Sequence, residues 1–504
     1  MTLQTIGKIC AFALYLGFMV YIGIRSSKKT NNAKDFFLGG RGIGPWVTAL
    51  SAEASDSSAW LLMGLPGLCY LGGVKETFWT AIGLIVGTYL NWLFIAKPLR
   101  KCSIAFGDAI TIPSFFKNRF NSKRCNYISI ALIVFFFTIY TASGIVACGK
   151  LFRSVFGLNY TVGMVIGLIV ILSYTILGGY RAVCTTDFVQ GALIFVAFVV
   201  AGTFAIVSLG GPSQAIEAAR NFSTKALAGE FNDDLKSVFT ANQSFSAKSA
   251  ISAFAWCLGY FGMPHIIIRF MGIRSNNEIK TARRVGIIWM IIAYIGAFII
   301  GSLGTVYLNN RGILLNATTA ETVFSETMLK MFPSFIAGIF LCAILAASMS
   351  TADSQLLAVA STVSLDLYKG KINKDADEKK VLLVSRVTVF AVAIIAFALC
   401  LLPNNNSIFG LVSYAWAGFG ATFGAIIILA LFWKRCTAAG ASSGLTFGFI
   451  TVVVWHNLHG GLFDIYEILP GFIVTFVVAV VVSLATDVKP EIAAKFDEYK
   501  AMKD

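Results

Sequence analysis

Charged residues are scarce in this chain, and that scarcity excludes many protein classes. Asp, Glu, Lys and Arg make up 13% of its 504 residues, whereas soluble domains carry about 25%. Apolar runs of about 20 residues, long enough to cross a bilayer, recur from one end of the sequence to the other. The composition therefore predicts a membrane protein throughout.

The chain also has few residues or motifs that would bind a metal, hydrolyse ATP or catalyse a reaction. Three histidines are too few for a haem or metal array, and none of the ten cysteines forms a CxxC pair. Neither a zinc site nor a disulfide framework is therefore expected. No GxxxxGK[ST] sequence occurs, which argues against a pump that uses ATP through a P-loop. No nucleophile and base stand out as a catalytic pair, so an enzyme is not expected.

About thirteen apolar segments are long enough to span a bilayer as α-helices, and no soluble domain is inserted between them. We therefore predict an all-α polytopic membrane protein in which residues 1–504 form a single transmembrane domain. The predicted spans lie near 6–24, 47–70, 76–96, 126–149, 162–178, 188–209, 249–271, 285–308, 335–364, 381–402, 408–433, 441–457 and 466–485.

The basic residues, such as Lys28 and Lys29, favour alternate loops. These basic loops lie near 25–41, 97–124, 274–284 and 369–380. The positive-inside rule makes them cytoplasmic, with the N-terminus outside and the C-terminus inside. The net charge of +15 is thus interpreted as a topology signal and not as a nucleic-acid surface. Two long loops, 210–248 and 309–333, fall outside and are expected to carry short helices over a vestibule; the tail after 487 is expected to be a charged cytoplasmic helix.

A run of small and polar residues, 51–58, lies inside the second predicted span. It contains Glu53 and Asp56, and each carboxylate at bilayer depth costs about 2.5–3.5 kcal/mol on insertion scales. Such a cost persists where the carboxylates face a cavity or bind a cation. This segment therefore predicts an ion or substrate site.

The seventh predicted span is also interrupted. Gly259, Gly262 and Pro264 lie in its middle, where they weaken the helix and free backbone carbonyls. The two interruptions are five spans apart, which is typical of transporters built from inverted repeats. The alternative is that glycine and proline only allow close helix packing.

Hydroxyl groups line one face of the ninth predicted span. Ala347, Ser350, Thr351 and Ser354 share that face because they follow the i, i+3, i+4, i+7 spacing. Neutral oxygen ligands suit a small hard cation. The alternative is a stripe of small residues for packing, but the neighbouring Asp353 argues against it because packing needs no carboxylate.

Taken together, the motifs resemble the sodium:solute symporter family, and within it the proline branch. The resemblance covers essentially the whole chain, whereas sugar and sialic-acid members differ in the second span. A further motif, Gly178-Gly179 with Thr186-Asp187 and Gln190, is shared more widely. The segments that carry the resemblance are 36–41, 48–56, 60–67, 137–144, 259–265, 343–351 and 410–420.

The resemblance implies a leucine-transporter-type fold with a core of five plus five inverted helices. That core covers about 47–209 and 249–433, with peripheral helices at 6–24, 441–457 and 466–485. It also implies sodium-coupled uptake of L-proline by alternating access in the plasma (inner) membrane. The expected partners are proline, sodium and the lipid bilayer, without nucleic acid or an obligate protein partner. Alternatives are symport of another small amino acid or betaine-like osmolyte and, more distantly, an ion channel or membrane sensor.

Two binding sites are implied by the same resemblance. Asp56 stands at the position that the family needs for sodium dependence. The implied sodium ligands are the carbonyls of Ala54, Ser57 and Ala347 with the hydroxyls of Ser350 and Thr351. The implied proline pocket consists of Ser58, Ala59, Trp60, Tyr140, Trp256, Tyr260 and Pro264. Aromatic walls suit the proline ring, and helix ends with unwound backbone suit its ammonium and carboxylate.

Three positions depart from the family pattern: Glu53 and Ala59 stand where glycine is often found, and Ser57 stands where methionine is often found.

A further prediction concerns a second cation site on the inward exit path. Some relatives hold a second sodium there, and the equivalent residues are Asp187, Asp353 and Ser354. The alternative is that these acids pair with basic residues or gate the exit.

Overall fold

The computed structural model describes residues 3–27, 33–221, 245–316, 318–403 and 405–502. Within these ranges the chain is helical, and its one strand-like contact is the bridge between Ile43 and Ile273. Lys28 and Lys29 of the predicted topology lie outside the described residues, as does most of the long loop 210–248. The structure therefore confirms the all-α prediction for the part of the chain it describes.

Twenty-two α-helices form the described chain. In order they are α1 (Leu3–Ser27), α2 (Ala33–Leu38), α3 (Pro45–Ala59), α4 (Leu65–Gly72), α5 (Val74–Leu90), α6 (Ala96–Ala105), α7 (Ile112–Phe120), α8 (Lys123–Phe156), α9 (Tyr160–Ser208), α10 (Pro212–Asn221), α11 (Ala247–Phe254), α12 (Pro264–Gly272), α13 (Ile279–Ile299), α14 (Thr305–Asn309), α15 (Val323–Met331), α16 (Ser334–Ser361), α17 (Glu378–Cys400), α18 (Ile408–Phe419), α19 (Ala425–Phe432), α20 (Ala438–His456), α21 (Ile468–Leu484) and α22 (Pro490–Ala501). Of the two long loops, the described parts carry the short helices α10 and α15.

Nine helical segments of the described chain are long and apolar enough to cross a membrane, or ten if a bent pair counts as one span. Two shorter apolar helices, Tyr160–Ser173 and Ile468–Leu484, accompany them. The second predicted span is not among these segments, because the polar run in α3 lowers its mean hydropathy. The number thirteen therefore stays a prediction, while the polytopic architecture is evident.

Helix α9 contains two predicted spans. Its 49 residues would extend about 73 Å if straight, more than twice the hydrocarbon thickness of a bilayer. Gly179, with φ of 63°, breaks it, and a Cβ there would lie 2.9 Å from the Phe36 ring. The sixth span thus begins about eight residues before the predicted position 188. Residues 181–187 contain charges that suggested a loop, but they are helical, and the charge of Asp187 is buried beside Arg269 of α12.

Both predicted interruptions are present. Ser58 inside α3 has φ of 44° and ψ of −178°, and a wide π-helical turn at Trp60–Gly64 leads into α4. The second interruption is a tight 3₁₀ segment, Ala255–Phe261, between α11 and α12. The stretch Ala247–Phe261, which comprises α11 and the 3₁₀ segment, is bent by 41° relative to α12.

Helix α16 is the centre of the fold. It packs against α1, α3, α8 and α9, and every residue from Leu341 to Ser361 is buried. Near one end of the molecule, Ile43 before α3 donates to the Gly272 carbonyl at 3.3 Å, which ties the first broken helix to the end of the second. The central position of α16 brings its hydroxyl face against α3.

The C-terminal helix α22 docks on the membrane domain through both charged and aromatic contacts. Lys434 forms an ion pair with Asp497 at 2.6 Å, and the Tyr499 hydroxyl donates to the Leu431 carbonyl at 3.3 Å. The Phe496 ring centre lies 4.7 Å from the guanidinium of the fully buried Arg119. Helix α22 is therefore part of the folded structure.

Candidate functional site

The backbone at Ser58 creates the first part of the site. Its combination of φ and ψ is almost restricted to glycine and costs about 1–3 kcal/mol for another residue. The Ser58 hydroxyl compensates in part by accepting a hydrogen bond of 3.0 Å from the Trp60 amide. Such strain in a buried span persists where the surrounding structure holds it, and it typically marks a functional site.

Hydroxyls of α16 meet the backbone carbonyls just before this break. Ser350 Oγ donates to the Ala54 carbonyl at 2.8 Å and lies 3.2 Å from the Ala347 carbonyl. Thr351 Oγ1 donates to the Ser55 carbonyl at 2.7 Å. The carbonyls of Ala54 and Ala347, two of the predicted sodium ligands, are thus each within hydrogen-bond distance of a third, the Ser350 hydroxyl.

Two other predicted ligands are placed differently. Thr351 contacts Ser55, a carbonyl that the sequence analysis did not include. The Ser57 hydroxyl donates to the Glu53 carbonyl at 2.6 Å, and the Ser57 carbonyl accepts from the Trp60 amide. All of these oxygens are neutral, and such a donor set fits a hard monovalent cation better than a soft metal.

Asp56 contacts the second broken helix. Its carboxylate accepts a hydrogen bond of 2.6 Å from the hydroxyl of Tyr260, in the 3₁₀ segment. Both side chains are buried, with 7% and 1% exposure. One residue predicted for sodium dependence therefore touches one predicted for the proline pocket.

Aromatic rings cover this contact. Trp60 and Trp256 pack with ring centres 5.2 Å apart, and Phe409 lies within 6.3 Å and 5.5 Å of them. Tyr466 stacks on Trp256 at 5.1 Å. A cavity of about 320 Å³ lies beyond, lined by Trp256, Phe409 and Tyr466 and by the polar residue Glu467. Two of the packed rings, Trp256 and Phe409, therefore form part of the wall of this cavity.

The remaining pocket residues lie close to the same point. Tyr140 of α8 is buried, and its ring centre is 6.0 Å from that of His265, the residue after Pro264. Pro264 is the first residue of α12, and Ala59 follows Ser58; both are buried. The structure thus gathers all seven predicted pocket residues around the two interruptions.

A separate polar cluster surrounds Arg269 of α12, whose side chain is 2% exposed. Its guanidinium pairs with Asp187 at 3.1 Å and also donates to Ser354. Ser51 donates to Asp187 at 2.7 Å, and Ser354 donates to Asp353 at 3.3 Å. The three residues of the predicted second cation site are therefore joined with an arginine.

Comparison with known protein families identifies the family of this chain. The profile of the sodium:solute symporter family matches residues 36–448. The chain belongs to the sodium:solute symporter family. The family consists of transporters, so this symporter is not an enzyme.

Relatives of this symporter match over nearly its whole length. The high-affinity proline transporter PutP of Bacillus subtilis is 42% identical over 96% of this chain and 99% of its own. The sodium/proline symporter of Escherichia coli is 43% identical over 94% of this chain and 92% of its own. The osmoregulated proline transporter OpuE of Bacillus subtilis is 41% identical over 96% of both chains.

Solved structures identify the fold. A sodium-coupled sialic acid symporter, in a substrate-bound outward-open state, superposes with a TM-score of 0.78 at 19% identity, over 96% of this chain and 99% of its own. Mhp1, a nucleobase-cation-symport-1 family transporter, gives 0.54 at 13% identity, over 94% and 99%. The symporter therefore has the leucine-transporter-type fold that the resemblance implied.

Several residues of the site were missed from the sequence. Arg269 carried a usable signal, since an arginine inside an apolar span is a functional candidate by default. Trp92 did not: it donates to the Glu53 carboxylate at 3.0 Å from a different span. Gly286 leaves room for that carboxylate, because a Cβ there would lie 2.6 Å from Glu53 Oε1. Phe409 and Tyr466 come from distant segments and share no local pattern with the pocket.

Proposed function

We propose that this symporter takes up L-proline together with sodium by alternating access. One observation carries the proposal: chains named as proline transporters or sodium/proline symporters are 41–43% identical to it over 92% or more of its length. Proteins that share this fold transport many different solutes, so the assignment of proline as the substrate depends on this similarity and on the pocket residues.

The proposed sodium site lies between α3 and α16. Its ligands are the carbonyls of Ala54, Ser57 and Ala347 and the hydroxyls of Ser350 and Thr351. The short distances from Ser350 to the Ala54 and Ala347 carbonyls support it. Asp56 supplies a nearby negative charge, which favours a cation in a site of low dielectric constant.

The proposed proline pocket lies next to that site. Its residues are Ser58, Ala59, Trp60, Tyr140, Trp256, Tyr260 and Pro264. The packed indoles of Trp60 and Trp256 offer apolar walls for the pyrrolidine ring and π faces for its secondary ammonium. The unwound backbone at Ser58 offers polar groups for the charged ends.

Coupling follows from the closeness of these two sites along one segment. Ala54 lies four residues before Ser58, within one helical turn. A cation that fixes the Ala54 carbonyl also restrains the strained backbone at Ser58, where the pocket begins. Sodium binding is therefore expected to preorganise the pocket, and by linkage proline is expected to raise sodium affinity by the same factor.

The driving force is sufficient. One sodium ion crossing about 100 mV releases about 2.3 kcal/mol, and a tenfold gradient adds about 1.4 kcal/mol. Together they support about 500-fold accumulation of a neutral solute.

The same proposal places the protein in the plasma (inner) membrane as one transmembrane domain, with the N-terminus outside and the C-terminus in the cytoplasm. The distribution of basic loops supports that orientation.

The cluster around Arg269 leaves two roles for Asp187, Asp353 and Ser354. Its contacts with Asp187 and Ser354 favour an inner gate in which the arginine neutralises the acid. A second sodium at these residues requires Arg269 to leave them first. Both roles are compatible with uptake driven by the site at Ser350.

Uptake into proteoliposomes tests the function. Purified protein is reconstituted, and labelled proline is offered under imposed sodium, lithium or proton gradients, with glycine betaine and other small amino acids as competitors. We expect proline accumulation that requires an inward sodium gradient. Stronger competition by a betaine or another amino acid would favour the alternative substrate. Sodium flux that does not depend on solute would favour a channel.

A further inference from the structure

A membrane-facing groove lies between α1, the second half of α9 and α16. Its volume is about 380 Å³. On α1, Leu14 and Phe18 are 64% and 49% exposed. The lining residues are Ala11, Leu14, Tyr15, Phe18, Met19, Val189, Leu193, Ile339 and Cys342. Because the groove opens on the surface that faces the bilayer, lipid is the medium that fills it.

Two arginines lie at the same end of this groove. Arg25 is six residues beyond Met19 on α1, which is about 9 Å along the helix. Arg181 is eight residues before Val189 on α9, which is about 12 Å. A Cβ on Gly42, between α2 and α3, would lie 3.5 Å from the Arg181 guanidinium. The positive-inside rule places the end of α1 and the start of the second half of α9 on the same, cytoplasmic side of the membrane.

Neither arginine is neutralised within the described part of the chain. Arg25 donates to the Tyr21 hydroxyl at 3.3 Å, and no ion pair of the described residues includes Arg25 or Arg181. Guanidinium groups bind phosphate through two parallel hydrogen bonds. Two arginines that have no acidic partner among the described side chains, near the end of an apolar groove, match an anionic headgroup attached to a hydrocarbon chain.

We propose that this groove binds one acyl chain of an anionic phospholipid, whose phosphate contacts Arg25 and Arg181. The positive-inside rule assigns these arginines to the cytoplasmic leaflet, which is rich in anionic lipid. The inner wall of the groove connects the lipid to transport. Tyr15 accepts a hydrogen bond of 3.0 Å from Gln190, which lies one helical turn from Asp187. A bound chain therefore holds α1 against the helix that carries Asp187.

Lipid retention measures the site directly, without reference to transport. The full chain is purified with phosphatidylglycerol or phosphatidylethanolamine, and bound lipids are counted by native mass spectrometry during titration. Each arginine near an anionic surface contributes about a fivefold change in affinity, so the double variant Arg25→Gln/Arg181→Gln is expected to bind phosphatidylglycerol about thirtyfold more weakly. Arg386→Gln is the matched control, an exposed arginine on α17. Equal retention by the double variant and the control would overturn the proposal, as would equal binding of both lipids by the parent protein.

A second pair of variants tests the groove rather than its charge. Leu193→Trp fills the groove, whereas Ile395→Trp adds the same side chain to the exposed surface of α17. We expect only Leu193→Trp to lose the bound phosphatidylglycerol. Unchanged retention in Leu193→Trp would show that the chain lies elsewhere. In liposomes, uptake by the parent protein but not by Leu193→Trp is expected to rise with phosphatidylglycerol content.

Discussion

The Tyr260 hydroxyl donates a hydrogen bond of 2.6 Å to the Asp56 carboxylate, and this bond joins the two interrupted helices. Asp56 lies two residues after Ala54, whose carbonyl meets Ser350. Tyr260 lies one turn after Trp256, whose ring packs on Trp60. The bond therefore lies between the proposed cation oxygens and the proposed aromatic pocket. A movement that separates the two broken helices at this point would break it.

The first prediction concerns Asp56. Asp56→Asn is expected to abolish sodium-driven proline uptake while the protein still reaches the membrane, because the negative charge beside the cation oxygens is lost. Tyr260→Phe keeps that charge and removes the hydrogen bond, which contributes about 1.5–3 kcal/mol when the acceptor is charged. We expect uptake to fall tenfold or more in this variant. Uptake at fixed sodium, corrected for protein in the membrane, is the measurement. Normal sodium dependence in Asp56→Asn would contradict the assignment.

The second prediction concerns the hydroxyls of α16. Ser350→Ala or Thr351→Ala is expected to raise the sodium concentration for half-maximal uptake about tenfold, the effect of losing about 1.4 kcal/mol of binding. Ser348→Ala is the matched control, because its hydroxyl bonds only to the Ile344 carbonyl one turn earlier. Equal effects at all three positions would indicate a packing stripe.

The third prediction concerns the aromatic pocket. Tyr140→Phe and Trp256→Phe are expected to weaken proline affinity by about 1 kcal/mol or more, roughly fivefold, with a smaller change in sodium affinity. Equilibrium binding of labelled proline to purified protein distinguishes a change in proline affinity from a change in sodium affinity. Trp79→Phe is the control, since Trp79 is 39% exposed on α5. A loss of expression without a loss of affinity would mean that the rings serve packing alone.

The fourth prediction separates the two roles of the inner cluster. Arg269→Gln leaves Asp187 buried without its partner and is expected to destabilise the protein by about 3–5 kcal/mol. Adding Asp187→Asn removes the unpaired charge and is expected to restore much of the melting temperature. A destabilisation in Arg269→Gln that Asp187→Asn does not reverse would mean that the arginine is held by other contacts.

The same cluster has a kinetic signature. Two sodium ions would make uptake steeper in sodium, with a Hill coefficient above one. A coefficient of one, together with unchanged sodium dependence in Asp353→Ala, would remove the second cation site and leave the gate. The parent protein and Asp353→Ala are compared over the same range of sodium concentrations.

The fifth prediction concerns the C-terminal helix. Phe496→Ala removes a buried ring and the cation–π contact of Arg119, and is expected to destabilise the protein by about 3–5 kcal/mol. Lys495→Ala changes an exposed neighbour and is expected to leave the melting temperature nearly unchanged. Equal melting temperatures for the two variants would show that α22 does not stabilise the membrane domain.

Membrane insertion, the two helix interruptions and the family could be determined from the sequence alone, because each depends on local composition. A run of polar residues such as 51–58, or a proline such as Pro264, weakens a helix wherever the fold places it. The positions of Ser350 and Thr351 on one face follow from helical periodicity. These features therefore required no knowledge of which helices are neighbours.

Only the tertiary structure decided which groups satisfy the buried charges. Asp187 meets Arg269 from another span, Glu53 meets Trp92, and Asp56 meets Tyr260. For the same reason the start of the sixth span was misplaced: the helix continues through the polar residues after Gly179, where Asp187 is buried beside Arg269 of another span. Hydrogen bonds between distant residues depend on helix packing, which leaves no periodic trace in the sequence.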